Sequence, residues 1–229
     1  MPKRAKQYVF AIGAAGCLTL TCAAALWICQ SPIRFFACLC LTALASTFKV
    51  KLPGMDGCIS PSLVPLLFAA GTMSWQETFT LAALAGVLQT LWKPKGRPQA
   101  IQVLFNGANL SLSMGCAYAI SHGLAPSQIL VQLGIAAVVY EVLDTLSVST
   151  VIQLIGGGSL AGIWRNCHLW TFPYHLAGVV VASLWMQTDL AMGLSLTVLG
   201  AVALYLMNTC YQELVNRAAP SNTAQASLG

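Results

Sequence analysis

Long apolar stretches separated by short polar connections make up most of the chain. Each stretch approaches the roughly 20 apolar residues that an α-helix needs to cross the hydrocarbon core of a bilayer. The connections contain Gly, Pro, Lys and Arg, which are typical of turns between membrane helices. The pattern predicts eight spans, over residues 8–29, 33–49, 58–74, 76–92, 101–121, 127–155, 168–187 and 190–212.

The third predicted span, residues 58–74, is the least regular of the eight because it contains Pro61 and Pro65. Proline inside a helix removes a backbone hydrogen bond and bends or ends the helix. Residues 58–92 therefore predict either two spans or one re-entrant hairpin that enters and leaves on the same face. The predicted fold class is an all-α integral membrane protein, a bundle of about eight transmembrane helices, or six if the hairpin is re-entrant.

The composition supports a membrane location for nearly the whole chain. Of the 229 residues, 57% are hydrophobic and 7% are charged, whereas a soluble domain carries about 25% charged residues. We expect a single transmembrane domain over residues 1–217 and a disordered cytoplasmic tail over residues 218–229. The net charge of +5 does not indicate a nucleic-acid partner, because the basic residues lie in short clusters at the ends of predicted spans.

The basic residues also predict the orientation. With eight spans and the N-terminus inside, ten of the eleven Lys and Arg residues fall on the cytoplasmic side, and Arg34 alone falls outside. An excess of Lys and Arg on one side is the bias that orients membrane spans. Both termini are therefore predicted to be cytoplasmic.

Two carboxylates lie within the apolar segment VVYEVLDTLSV, at Glu141 and Asp144. A charged side chain at mid-membrane costs at least about 2.5 kcal/mol, so such residues usually face the bundle interior. Their i, i+3 spacing places both on one helix face. Two ionised carboxylates there would repel, so either one is protonated or a cation lies beside them. The other acids, including Glu77, are predicted to lie in or near loops.

Polar residues of neighbouring spans are predicted at the depth of this pair. Asn109 lies on the fifth span at the level of Asp144, and His175 lies near the middle of the seventh, where Pro173 breaks the helical hydrogen bonding. A structural interpretation stays open, since polar residues in spans often only bond neighbouring helices. The candidate ligand-binding residues are Asn106, Asn109, Ser113, Glu141, Asp144, Thr145, Tyr174 and His175.

Catalytic and metal-binding motifs are absent from the sequence. It contains no phosphate-binding loop, no HExxH and no GxSxG pattern, so we predict no enzyme activity and no cofactor. The nine cysteines form no CxxC pair and are interpreted as small buried hydrophobic residues rather than metal ligands or disulfides.

Three segments resemble a known kind of membrane module. They are FKVKLPGMDGCIS at 48–60, LWKPKGRPQAIQVLFNGAN at 91–109 and IWRNCHLWTFPYHLAGVVVA at 163–182. Together they resemble the multi-span N-terminal sensory region of bacterial cyclic-di-GMP signalling proteins, in which a diguanylate cyclase or HD-type phosphodiesterase domain follows the last span. The motif positions that carry the resemblance include Leu52, Pro53, Gly54, Trp164, Arg165 and Pro173.

The resemblance implies a multi-pass sensory module in a bacterial inner membrane. Two features depart from the pattern: Asp144 stands where those proteins have Asn, with Glu141 as an additional acid, and we expect no output domain after Arg217. We therefore expect a non-catalytic module that binds or senses a small molecule or a membrane state and signals through a separate cytoplasmic or membrane protein. The alternative is a small-molecule transporter or the substrate-binding subunit of an uptake system.

Overall fold

The computed structural model describes seven helices and one short two-stranded ribbon. The helices are α1 (Lys3–Ala25), α2 (Pro32–Thr47), α3 (Leu63–Thr72), α4 (Trp75–Leu91), α5 (Ala100–Leu124), α6 (Ile129–Gly156) and α7 (Leu160–Met186). In the ribbon, β1 (Val50–Lys51) pairs antiparallel with β2 (Cys58–Ile59).

The described residues are 1–29, 31–47, 50–51, 58–59, 62–92, 98–125, 127–188 and 195, with the backbone alone at 50–51, 58–59, 166–170 and 173. The predicted eighth span, except residue 195, the predicted tail and the motif residues Leu52, Pro53 and Gly54 lie outside them.

Three of these helices, α1, α5 and α6, are long and apolar enough to cross a membrane. They contain 23, 25 and 28 residues, and at 1.5 Å per residue each exceeds the hydrocarbon thickness of about 30 Å. Shorter apolar helical segments are α2, α3 and residues Tyr174–Met186 of α7. The membrane-helix character predicted from the sequence is confirmed at this level.

The third predicted span is wrong in its extent. Helix α3 has ten residues and is about 15 Å long, half of the hydrocarbon thickness. It cannot begin earlier in the chain because Cys58–Ile59 is extended and paired with Val50–Lys51. Pro65 then falls in the first turn of α3, where proline is tolerated because its missing N–H needs no partner within the helix.

The seventh helix begins earlier than predicted, at Leu160 rather than at residue 168. Gly157 and Gly158, which follow α6, have φ values of 75° and 93°, a region that glycine adopts without steric cost. Ser159 then caps α7, since its hydroxyl accepts a hydrogen bond of 3.4 Å from the Gly162 N–H. Trp164 therefore lies on a helix and not, as predicted, in a connection.

Helix α5 lies at the centre of the bundle, in contact with α1, α4 and α6. Glycines allow the close approach: a Cβ at Gly86 of α4 would lie 2.7 Å from the carbonyl carbon of Asn106, and one at Gly16 of α1 would lie 2.8 Å from the Cα of Ala108. Helix α7 packs against α6 and α3. The α5–α6–α7 contacts position the candidate site.

The apolar core is shared by α3, α4, α5 and α6, and its fully buried members include Leu67, Leu81, Met114 and Leu133. Large apolar side chains are also exposed on the outer helix faces, as lipid-facing residues are expected to be. Among the six cysteines whose side chains the structure describes, only Cys38 is buried. The interpretation of the cysteines as buried residues is therefore wrong for most of this set.

Candidate functional site

Glu141 and Asp144 lie near the middle of α6, one helical turn apart. Glu141 is fully buried, with 0% of its surface exposed, and Asp144 is partly buried. Glu141 is about 18 Å from the start of α6 and Asp144 about 18 Å from its end, at 1.5 Å per residue. Both carboxyl groups are thus far from either end of a helix that is long enough to cross the bilayer.

Asn109 of α5 holds the Asp144 carboxyl group. Its amide Nδ2 donates a hydrogen bond of 2.5 Å to Asp144 Oδ1. Asn109 is 3% exposed, so this bond is made inside the bundle. The structure thereby brings together two residues that the depth comparison from the sequence places at one level.

Thr171 of α7 holds the other carboxyl group. Its hydroxyl donates a hydrogen bond of 2.8 Å to Glu141 Oε1. The backbone carbonyl of Thr171 accepts a bond of 2.8 Å from Nδ1 of His175, one turn further along α7. Since a carbonyl oxygen only accepts, Nδ1 carries a proton. Both Thr171 and His175 are buried.

We call Asn109, Glu141, Asp144, Thr171 and His175 the acid cluster. It joins α5, α6 and α7. Thr171 is the member that the sequence did not identify. The signal that points to it is its position four residues before His175, on the same helix face.

Further residues, among them the predicted Thr145 and Tyr174, lie beside the acid cluster. The rings of Tyr140 and Tyr174 lie 5.8 and 5.9 Å from the His175 ring. The Thr145 hydroxyl donates to the Glu141 backbone carbonyl at 2.6 Å and accepts from Trp164 Nε1 at 3.1 Å. Trp164 therefore connects the first turns of α7 to α6, directly beside the cluster.

Two predicted site residues of α5 are placed differently. Asn106 donates to the Thr90 hydroxyl of α4 at 2.8 Å, and this bond joins α4 to α5 and does not reach the cluster. Ser113 is buried, one turn beyond Asn109.

Two further motif residues, Arg165 and Pro173, lie on α7. Arg165 is exposed on the early turns of α7. Helix α7 continues through Pro173.

Glu77 lies next to the turn between α3 and α4, near a loop as predicted, but its side chain is buried. Glu77 is 1% exposed and lies in the first turn of α4. Its Oε2 accepts from the Ser74 N–H at 3.0 Å and from the Ser74 hydroxyl at 2.8 Å. This is a capping box, which satisfies backbone donors that a helix N-terminus otherwise leaves open.

The chemistry of the acid cluster favours the uptake of a positive charge. Side chains three residues apart on a helix are about 5–6 Å apart at Cβ, and two negative charges at that distance repel strongly where water is excluded. Asn109 and Thr171 supply neutral donors, which orient one oxygen of each carboxyl group without neutralising it. A proton or a small cation beside the pair would relieve the repulsion.

Comparison with known proteins gives no assignment. No family model matches the chain, and no curated protein and no solved structure matches it either. The resemblance to the membrane region of cyclic-di-GMP signalling proteins therefore stays a prediction.

Proposed function

We propose that the protein is a multi-pass membrane sensor in which the acid cluster binds a small cationic ligand. The observation that carries the proposal is the pair of carboxyl groups on α6, each held by a donor from a different helix. Burying two acids inside a membrane bundle costs free energy. A cation bound beside them would lower that cost. The resemblance in the 48–60, 91–109 and 163–182 segments supports a sensory role.

Binding would change how three helices hold one another. A cation beside Asp144 or Glu141 would attract the carboxylate oxygens and weaken the hydrogen bonds that Asn109 and Thr171 donate to them. Trp164 is coupled to the cluster through Thr145 and lies near the start of α7. We propose that this end of α7 passes the change to a separate partner protein.

The proposed arrangement in the membrane is eight spans with both termini in the cytoplasm of a bacterial cell. The eight are α1 to α7 and the predicted span 190–212. Helix α3 is about half as long as the hydrocarbon is thick, but the turn between α3 and α4 reaches the α1–α2 connection, where Gln76 Nε2 donates to the Leu26 carbonyl at 2.8 Å. Since that connection lies on the outer side in the proposed orientation, we count α3 and α4 as two crossings and not as a re-entrant hairpin.

A binding experiment with defined cations tests the sensor proposal. Purified protein in lipid nanodiscs is titrated calorimetrically with sodium, potassium, ammonium and guanidinium chlorides, with choline chloride as the reference salt. We expect saturable binding of at least one of these cations, weakened at least about tenfold in Asp144→Asn, because one charge–charge contact at low dielectric is worth more than about 1.4 kcal/mol.

The matched control is Thr150→Val on the same helix. The Thr150 hydroxyl bonds only the Leu146 carbonyl of α6, so this variant should bind as the unaltered protein does. If no cation binds to folded protein, or if Asp144→Asn binds as tightly as the control, the cationic-ligand proposal is wrong.

The short helix α3 supports a transporter as the second candidate. Transporters place discontinuous helices beside a binding site at the bilayer midplane, and α3 covers about half of the membrane. Counterflow in proteoliposomes separates the two functions. A sensor binds the cation identified above without exchanging it across the membrane, whereas a transporter exchanges labelled for unlabelled cation.

A further inference from the structure

One cavity is lined by two charged residues. Neither the positive-inside orientation nor the acid cluster explains them. Arg34 is the one basic residue predicted on the outer side, and Glu77 is the buried acid at the start of α4. Both line a cavity of about 280 Å³, together with Ser31, Thr72 and Met73. We propose that this cavity binds a zwitterionic headgroup of the phosphoethanolamine type, which carries a primary ammonium and a phosphate.

The charges at the cavity determine the ligand class. Arg34 and Glu77 line the same cavity but are not joined by an ion pair, so each is open to an opposite charge of a ligand. A simple anion would be attracted by the Arg34 guanidinium but repelled by the Glu77 carboxylate. A simple cation would be attracted by Glu77 but repelled by Arg34. A zwitterion satisfies both residues at once, with its phosphate on Arg34 and its ammonium on Glu77.

The geometry of Glu77 leaves room for this contact. Both Ser74 bonds go to Oε2 of Glu77, and the Cys29 thiol also bonds this carboxylate. A carboxylate accepts up to about four hydrogen bonds, so the group can still accept from a ligand ammonium. The hydroxyls of Ser31 and Thr72 supply further oxygen atoms at the wall. A primary ammonium has three N–H donors to distribute among such acceptors, whereas a trimethylammonium has none. The cavity should therefore distinguish ethanolamine from choline headgroups.

The size of the cavity and its surroundings fit a lipid headgroup. Liquid water occupies about 30 Å³ per molecule, so 280 Å³ is the volume of about nine waters, enough for a group of about eight non-hydrogen atoms. Next to Arg34 on α2, Ile33 is 77% exposed and Phe36 is 61% exposed. Apolar side chains of this kind beside the cavity are placed to contact the acyl chains of a lipid whose headgroup enters it.

The test uses the full chain in detergent and three short-chain lipids, dihexanoyl phosphatidylethanolamine, phosphatidylcholine and phosphatidylglycerol, with free phosphoethanolamine as a fourth probe. Binding is measured by native mass spectrometry and calorimetry. We expect phosphatidylethanolamine to bind at least about tenfold more tightly than the other two lipids, since each lacks one of the two charge-assisted contacts. Free phosphoethanolamine that binds equally well would identify a soluble zwitterion as the source, and its failure to bind would identify the lipid.

Two variants and one control complete the experiment. Arg34→Gln and Glu77→Gln should each weaken binding at least about tenfold, and glutamine at position 77 preserves the capping box. Arg165→Gln removes an exposed arginine of α7 and should change nothing. Equal binding of all three lipids, or unchanged binding in Arg34→Gln, overturns the proposal. Because Arg34 is exposed on α2, Arg34→Gln is expected to fold. Its binding result therefore tests the proposal even if Glu77→Gln is unstable.

Discussion

The bond between Thr171 and Glu141 provides a direct test of the acid cluster, through the variant Thr171→Val. Valine keeps the β-branched shape and helical rotamer preference of threonine but removes the hydroxyl that donates to Glu141 Oε1 at 2.8 Å. A hydrogen bond to a charged group contributes about 1.5–3 kcal/mol in soluble proteins. Between membrane helices, measured pairs average about 0.6 and reach about 1.7 kcal/mol.

Because Glu141 is fully buried and cannot exchange the lost donor for bulk water, we place the effect at the upper end of the membrane range. Thr171→Val should lower the free energy of unfolding by about 1–2 kcal/mol. Thr150→Val is the control. Its hydroxyl donates at 2.8 Å to the Leu146 carbonyl within α6, so a loss of less than about 0.5 kcal/mol is expected.

Reversible unfolding by SDS in mixed micelles, followed by far-ultraviolet circular dichroism, gives both free energies. A double-mutant cycle with Glu141→Gln isolates the pair, and we expect a coupling of about 1 kcal/mol. If Thr171→Val and Thr150→Val lose the same amount, or if the coupling falls below about 0.3 kcal/mol, the hydroxyl does not stabilise the buried carboxyl group and the reasoning is refuted.

Two further predictions concern packing and topology. Gly86→Ala should destabilise the protein by about 1–3 kcal/mol through overpacking, because its Cβ would lie 2.7 Å from the Asn106 carbonyl carbon. Gly134→Ala is the control: its Cβ would have no neighbour within 4 Å, so it should be neutral in the same unfolding assay. Equal effects of the two variants would contradict the close approach of α4 and α5. Reporter fusions or cysteine labelling should give a cytoplasmic signal at Arg4 and an external signal at Gly123, and a cytoplasmic signal at Gly123 would overturn the proposed orientation.

The sequence predicts the long helices well and the irregular ones poorly. Spans predicted at 101–121 and 127–155 correspond to α5 (Ala100–Leu124) and α6 (Ile129–Gly156). The sequence predicts them because an apolar run long enough to cross a bilayer can be recognised from composition alone. The extent of α3 depends instead on strand pairing between Val50–Lys51 and Cys58–Ile59. That pairing is a non-local contact of two residues on each side, too short to leave a periodic signal.

The candidate site shows the same division. The depth of Asn109 and Asp144 follows from the rise per residue, and the structure brings the two side chains together. The bond from Thr171 to Glu141 depends on how α7 is rotated against α6, and α7 begins earlier than the apolar pattern indicates. Rotation about a helix axis changes by about 100° per residue, so a partner on a helix with a misplaced start could not be chosen from the sequence.

The residues that depart from membrane-protein rules are the ones that converge on sites. The predicted orientation places ten of the eleven basic residues inside, and Arg34, the exception, lines the cavity that Glu77 also lines. Acids inside spans are costly, and Glu141 and Asp144 are each held by a donor from a different helix. Had these charges been incidental, they would be expected at exposed helix ends and scattered over unrelated helices. Their pairing, in one cavity and in one cluster, is the physical reason for proposing that both places bind ligands.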